Sequence, residues 1–250
     1  MVILGNCYYL YSDEAGCPAL NDRDECFCFG TMAIYRDPIE NIVSDKLRIA
    51  KGKSSSLSNH RDIAQVLDKH QIVINIVSLD LTNLMVRRRI KEIYQNKINA
   101  SPLPENDKPS ISNYTWMVLY LESMVDCICR IIKQKKRIGT VIPYYNEVKI
   151  KNREMEIIEN MTGASMLARF KEAIKNTEII AKRKVPDDMW IYPISAKPVD
   201  KMNLGIKIID NVVSGFRRSI LEERKEEFLD IFPMIQWKDL TNDFPRTISL

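Results

Sequence analysis

Hydrophobic and polar positions along the chain fall into runs that mark out its elements. Residues 7–12, Cys-Tyr-Tyr-Leu-Tyr-Ser, form an aromatic-rich run that predicts a strand, and Asp13-Glu14-Ala15-Gly16 ends it in turn chemistry. A polar loop at 21–24 leads to a second apolar run, 25–35, read as the hairpin partner of the first. Pro38 suits the first turn of a helix, and Ile39, Ile42, Val43, Leu47 and Ile49 follow at roughly helical spacing. A basic, serine-rich loop spans 51–58, a short helix follows near 62–67, and the β-branched run 72–79 is the best central strand.

Further on, 82–96 reads as a helix carrying Arg87, Arg88 and Arg89. Residues 100–112 hold three prolines and read as a loop. A long helix is expected over 114–135, then a strand over 138–147 with an irregularity at Pro143. A charged helical stretch covers 153–175, a short strand 190–195 and a long final helix 203–228. The initial hairpin argues for a mixed sheet rather than a purely parallel one. The expected organisation is an α/β domain over 1–229, with a helical insertion near 100–136 and a C-terminal appendage over 230–250.

Composition narrows the classes. A chain of 250 residues that is 45% hydrophobic can bury a substantial core, and 8 glycines with 11 prolines exclude a fibrous or low-complexity chain. The formal charge of +4, from 37 basic and 33 acidic residues, permits a polyanionic partner without demanding one. No apolar run approaches the length of a membrane span and the N-terminus lacks the pattern of a signal peptide, so a cytoplasmic protein is expected. The six cysteines then read as free thiols. Cys26 and Cys28 would share one strand face and pack as small hydrophobes; neither they nor Cys127 and Cys129 have zinc-knuckle spacing. His60 reads as a surface residue, and Glu122 with Asp126 as a solvent-facing pair. No phosphate-cradling glycine loop is present.

Three acidic positions carry the candidate chemistry. Asp13 and Glu14 stand where the first strand stops, and alternation gives Tyr9, Tyr11 and Asp13 one face. An acid there can be ionised yet rigidly held, or can simply cap a turn. In the last helix Ile206, Ile209, Val213, Phe216 and Ile220 form an apolar stripe, with Asp210 beside it. A carboxylate at that margin requires a cation or hydrogen-bond donors, such as Lys207 or Arg217 in an ion pair. Asn146 and Glu147 follow a middle strand and could join the other acids. Acids from a first strand, a middle strand and a last helix can converge on paired Mg²⁺ or Mn²⁺ ions. Two such ions about 4 Å apart activate water and stabilise the leaving oxygen of a phosphodiester. The basic clusters, Arg217 best placed among them, could hold a phosphate backbone without reading sequence, or be ordinary solvated faces.

The segments Tyr11-Ser12-Asp13-Glu14-Ala15-Gly16 and Gly205-Ile206-Lys207-Ile208-Ile209-Asp210-Asn211-Val212-Val213-Ser214-Gly215, with Ser195-Ala196-Lys197 before the latter, are similar to motifs of a bacterial family, domain-of-unknown-function family 3800. The resemblance covers about residues 6–220. Ala15 stands where the family usually has serine, and Lys207 where it usually has glutamine. The middle-strand acid of the family corresponds to Asn146 or Glu147 here; an amide oxygen would bind metal more weakly.

The resemblance implies a ribonuclease H-like fold and a divalent-metal-dependent nuclease acting on RNA or DNA, in bacterial defence or a mobile element, with a protein partner in that system. It implies Asp13, Glu14, Glu147 and Asp210 as catalytic acids, with Asn146 a weak metal ligand. Ser195, Lys197, Lys207 and Arg217 are the expected substrate contacts, Lys207 at the scissile phosphate. The alternatives are a non-catalytic binding or scaffold protein with a degenerate site, for which a neutral residue beside Asp13 would argue, and a partner subunit of a separate enzyme.

Overall fold

A computed structural model describes residues 7–18, 20, 26–35, 57–100, 104–133, 140–146, 197–199 and 204–244. The strands are β1 (Cys7–Ala15), β2 (Cys26–Tyr35), β3 (Val73–Asp80), β4 (Thr140–Asn146), β5 (Lys197–Val199) and β6 (Ile235–Asp239). The helices are α1 (Leu57–Lys69), α2 (Leu84–Ala100), α3 (Ile111–Lys133), α4 (Leu204–Leu221) and α5 (Lys225–Ile231), with a 3₁₀ turn at Glu105–Asp107. The expected helices after Pro38 and over 153–175, and the strand over 190–195, lie outside the described residues.

The six strands form one sheet in the order β5-β4-β1-β2-β3-β6. β2 runs antiparallel to both of its neighbours, while β1 with β4, β4 with β5 and β3 with β6 pair in parallel. The sheet is mixed, as the initial hairpin implied, and among the described strands β2 alone points the other way. The C-terminal ends of the other five strands therefore gather along one edge, where β2 begins.

Strand alternation separates two cores. Tyr8, Leu10, Phe27, Phe29, Val73, Val77 and Leu79 face α3, whose Trp116, Leu119, Tyr120, Ile128 and Ile131 pack onto them. Tyr11, Cys28, Met32, Ile34, Ile74 and Ile76 face α4, which contributes Ile206, Ile209, Val213 and Phe216 from the apolar stripe. A β-carbon on Gly205 would lie 2.2 Å from Tyr11 Cδ1, and one on Gly30 would lie 2.3 Å from Val213 Cγ2. These glycines let α4 lie directly against β1 and β2.

The α3 face contains a polar row. Ser12, Thr31 and Asn75 are neighbours in register across three strands. Ser12 Oγ and Thr31 Oγ1 are 2.9 Å apart, and the Ser123 hydroxyl of α3 contacts Thr31 Oγ1 at 2.9 Å and the Asn75 carbonyl at 3.0 Å. Buried hydroxyls are tolerated because each finds a partner.

Four local expectations change. β1 continues through Asp13 and Glu14 to Ala15, and Gly16, at φ 99°, makes the turn that ends it. The expected final helix is two: Glu223, at φ 56°, breaks it between α4 and α5. Glu122 is buried rather than solvent-facing, because Lys238 of β6 reaches across to it at 3.2 Å and to Asp126 at 3.4 Å. The tail read as an appendage supplies β6, and Leu240 and Phe244 are fully buried.

Candidate functional site

Asp13 and Glu14 lie at the edge where the parallel strands end. Asp13 is only 3% exposed, and its Oδ1 accepts the backbone N–H of Glu14 at 2.9 Å. Alternation directs Asp13 to the α4 side and Glu14 to the α3 side, where Trp116 Nε1 donates to Glu14 Oε2 at 3.2 Å. The Glu14 carboxyl is also hydrogen-bonded to that of Asp13. Burial, the largest influence, raises the Glu14 pKa. The Trp116 N–H and the Asp13 carboxyl oppose the rise, and the charge of Asp210 adds to it.

Asp210 thus comes into electrostatic range of Glu14 from the far end of the chain. It is exposed on α4 and accepts the Ser214 hydroxyl at 3.1 Å. Its neighbours in the helix, Ile209 and Val213, cover Gly30, which is the register partner of Asp13. Two turns further on, Arg217 Nε donates to the Cys26 carbonyl at 2.7 Å, so its guanidinium is fixed at the same edge.

The remaining predicted residues divide as follows. β4 pairs with β1 up to Ser12 and Tyr145, so Asn146, one residue on, stands level with Asp13. Glu147 and Ser195 lie outside the described residues. Lys197 opens β5 opposite Tyr144, two strands from β1. Lys207 is half-buried on α4, one turn before Asp210. Among the described residues, no three His, Cys, Asp or Glu side chains form a group able to hold a metal ion.

Sequence reasoning missed Trp116, which meets Glu14 across 102 positions and carries no local signal. It also missed a repeated Asp-Leu-Thr at the ends of β3 and β6. Asp80 Oδ1 accepts Thr82 N–H at 2.9 Å and its hydroxyl at 2.6 Å; Asp239 Oδ1 accepts the same groups of Thr241 at 2.9 and 2.5 Å. These two ends, with Cys26, Trp237 and the α4–α5 turn, line a groove of about 590 Å³. His60 is buried as well, wedged against Gly215, Phe228 and Phe232. Neighbours from α4 and α5, remote in sequence, cover it.

A search of protein-family models and of curated proteins finds no match to this chain. No helix among the described residues is long and apolar enough to cross a membrane.

Proposed function

We propose that this chain is a divalent-metal-dependent nuclease of RNA or DNA with a ribonuclease H-like fold, akin to domain-of-unknown-function family 3800. The observation that carries the reading is that the charge of Asp210, on a late helix, is felt at Glu14, which adjoins Asp13 at the end of the first strand. The strand order, with β2 alone reversed, supports it. So does the raised pKa of Glu14, caused first by burial and increased by the charge of Asp210, which a hard cation would relieve.

The donor set is chemically suited to Mg²⁺ or Mn²⁺, since its side chains offer oxygens. It is incomplete among the described residues, where no three-ligand group is found. When bound, such ions activate water and stabilise a leaving oxygen. The chain's own part would be to hold Asp13 rigidly within β1, to hold Glu14 through Trp116, and to offer Arg217 to a phosphate. Lys207, Ser195 and Lys197 are the further proposed phosphate contacts, and Asn146 and Glu147 the remaining ligands. A role in bacterial defence with a protein partner belongs to the same proposal.

Asn146 favours a second reading. A neutral amide level with Asp13 weakens any shared ion, which suits a non-catalytic nucleic-acid-binding protein that retained the fold. The test is cleavage of mixed RNA and DNA with Mg²⁺ or Mn²⁺ by the wild type and by Asp13→Asn. Cleavage by the wild type alone is expected; equal cleavage by both would remove the nuclease reading. Binding without cleavage by either protein would favour the second.

A further inference from the structure

Gly16 follows β1 directly, two residues past Glu14, and its backbone is left-handed, at φ 99°. An L side chain is strained in that conformation, and here it would also lack room. A β-carbon on Gly16 would lie 2.5 Å from the Cys26 carbonyl oxygen and 2.9 Å from Nε of Arg217. Those two atoms are themselves joined, since Arg217 Nε donates to that carbonyl at 2.7 Å. The end of β1, the start of β2 and the later part of α4 therefore meet at one point, where the bare backbone of Gly16 closes over the Arg217–Cys26 bond.

This tie differs in kind from the others between α4 and these strands. The approach of Gly205 to Tyr11 and of Val213 to Gly30 is apolar packing, which holds the helix down without fixing its direction. A guanidinium hydrogen bond is directional. It also acts where the ladder stops, because β1 and β2 pair in register only as far as Ala15 and Cys28. Cys26 lies past that last pair, and Arg217 supplies the link there. On the opposite face Trp116 Nε1 donates to Glu14 Oε2 at 3.2 Å. The acidic end of β1 is thus set between a side chain of α3 and a side chain of α4.

We propose that Arg217 is a positioning residue, interlocked with Gly16, that fixes the acidic end of β1 against Trp116. The Nε bond performs this role, which is distinct from the phosphate contact suggested for the same side chain. Its use in catalysis rests on the nuclease reading, whereas the interlock itself does not.

The test follows the indole N–H of Trp116 by proton–nitrogen correlation NMR on the full chain, with the peak assigned through Trp116→Phe. Arg217→Lys keeps the positive charge that a phosphate contact needs and lacks Nε. Arg217→Lys and Arg217→Ala are both expected to move the Trp116 peak, although α4 and α3 lie on opposite faces of the sheet. An unmoved peak in Arg217→Lys would overturn the proposal. Urea unfolding supplies a second reading. Gly16→Ala should lower the midpoint, and by less in an Arg217→Ala background, where one of the two crowding atoms is gone. Equal drops in the two backgrounds would refute the interlock. The Arg217 variants leave Gly16 intact and decide the question if Gly16→Ala does not fold. Neither measurement involves metal or nucleic acid, so failure of the nuclease reading would leave both results as expected.

Discussion

Trp116 of α3 donates its indole N–H to Glu14 of β1 at 3.2 Å, which ties the helix on one face to the acidic edge of the sheet. That bond offsets part of the cost of burying Glu14, whose pKa is raised by burial and by the charge of Asp210. Ionisation is therefore disfavoured in the folded chain relative to the unfolded one, and stability falls as pH rises through the usual carboxyl range. Glu14→Gln keeps an acceptor for Trp116 and removes the charge. It is expected to raise the melting temperature at neutral pH by a few degrees. Calorimetry on both proteins checks this; a lower melting temperature for the variant would contradict it.

Asn146 stands level with Asp13, so the charge of the site can be altered from β4. Asn146→Asp adds a carboxylate where the register brings the two strands together. Tighter Mn²⁺ binding, by roughly tenfold or more, is expected for a gain of about 1.4 kcal/mol or more. Titration calorimetry with Mn²⁺ measures it. Unchanged affinity would count against Asn146 as a ligand of the proposed site.

Gly30 admits Val213 and Ile209 of α4 directly onto the strand. Gly30→Ala introduces a β-carbon 2.3 Å from Val213 Cγ2, and the helix must retreat or the side chain leave its rotamer. A loss of about 1–3 kcal/mol is expected, the range for overpacked cores. Urea unfolding reads it directly. Since the same helix carries Asp210, any activity should fall along with stability.

His60 gives the fold a response to acid. Burial, its largest influence, lowers its pKa below 6.5, and nearby Arg218 lowers it further, while hydrogen bonds with Asn211 oppose both. Phe228 of α5 and Phe232 just after it face the ring edge-on and offer no counter-charge. The unfolded chain takes up a proton near pH 6.5 that the folded chain resists. The contribution is thus complete above the unfolded value and is lost as pH falls through the depressed one. His60→Gln should flatten stability between pH 7 and 5; an unaltered slope would exclude this residue as its cause.

The parts of the fold legible in sequence were those written in local pattern. The β-branched run around Ile74 and Ile76, the hairpin of β1 and β2, and the stripe through Ile206, Ile209 and Val213 all announce their buried faces by periodicity. Asp13 and Asp210 were selected by position and type, and Glu14 does feel the charge of Asp210. What stayed hidden depended on partners far along the chain. His60 sits among polar neighbours in sequence, yet Gly215 and Phe228 close over it. Glu122 looks like half of a solvated pair until Lys238 arrives from β6. Ser12 and Thr31 resemble surface residues on their strands, and only the register reveals the buried row they share with Ser123.

The strand β6 borders β3 and is fastened to β3 and α3 by three separate ties. Trp237 Nε1 donates to Ser78 Oγ at 2.9 Å, Arg130 spans the Ile74 and Met234 carbonyls at 3.1 and 2.5 Å, and Lys238 holds Glu122. Without β6, β3 would present a raw, adhesive margin of unpaired amides and carbonyls. The five-residue β6, which carries Lys238 and Asp239, is a shorter and more charged margin than the eight-residue apolar β3, so it acts as a seal that keeps copies of the chain from pairing edge to edge.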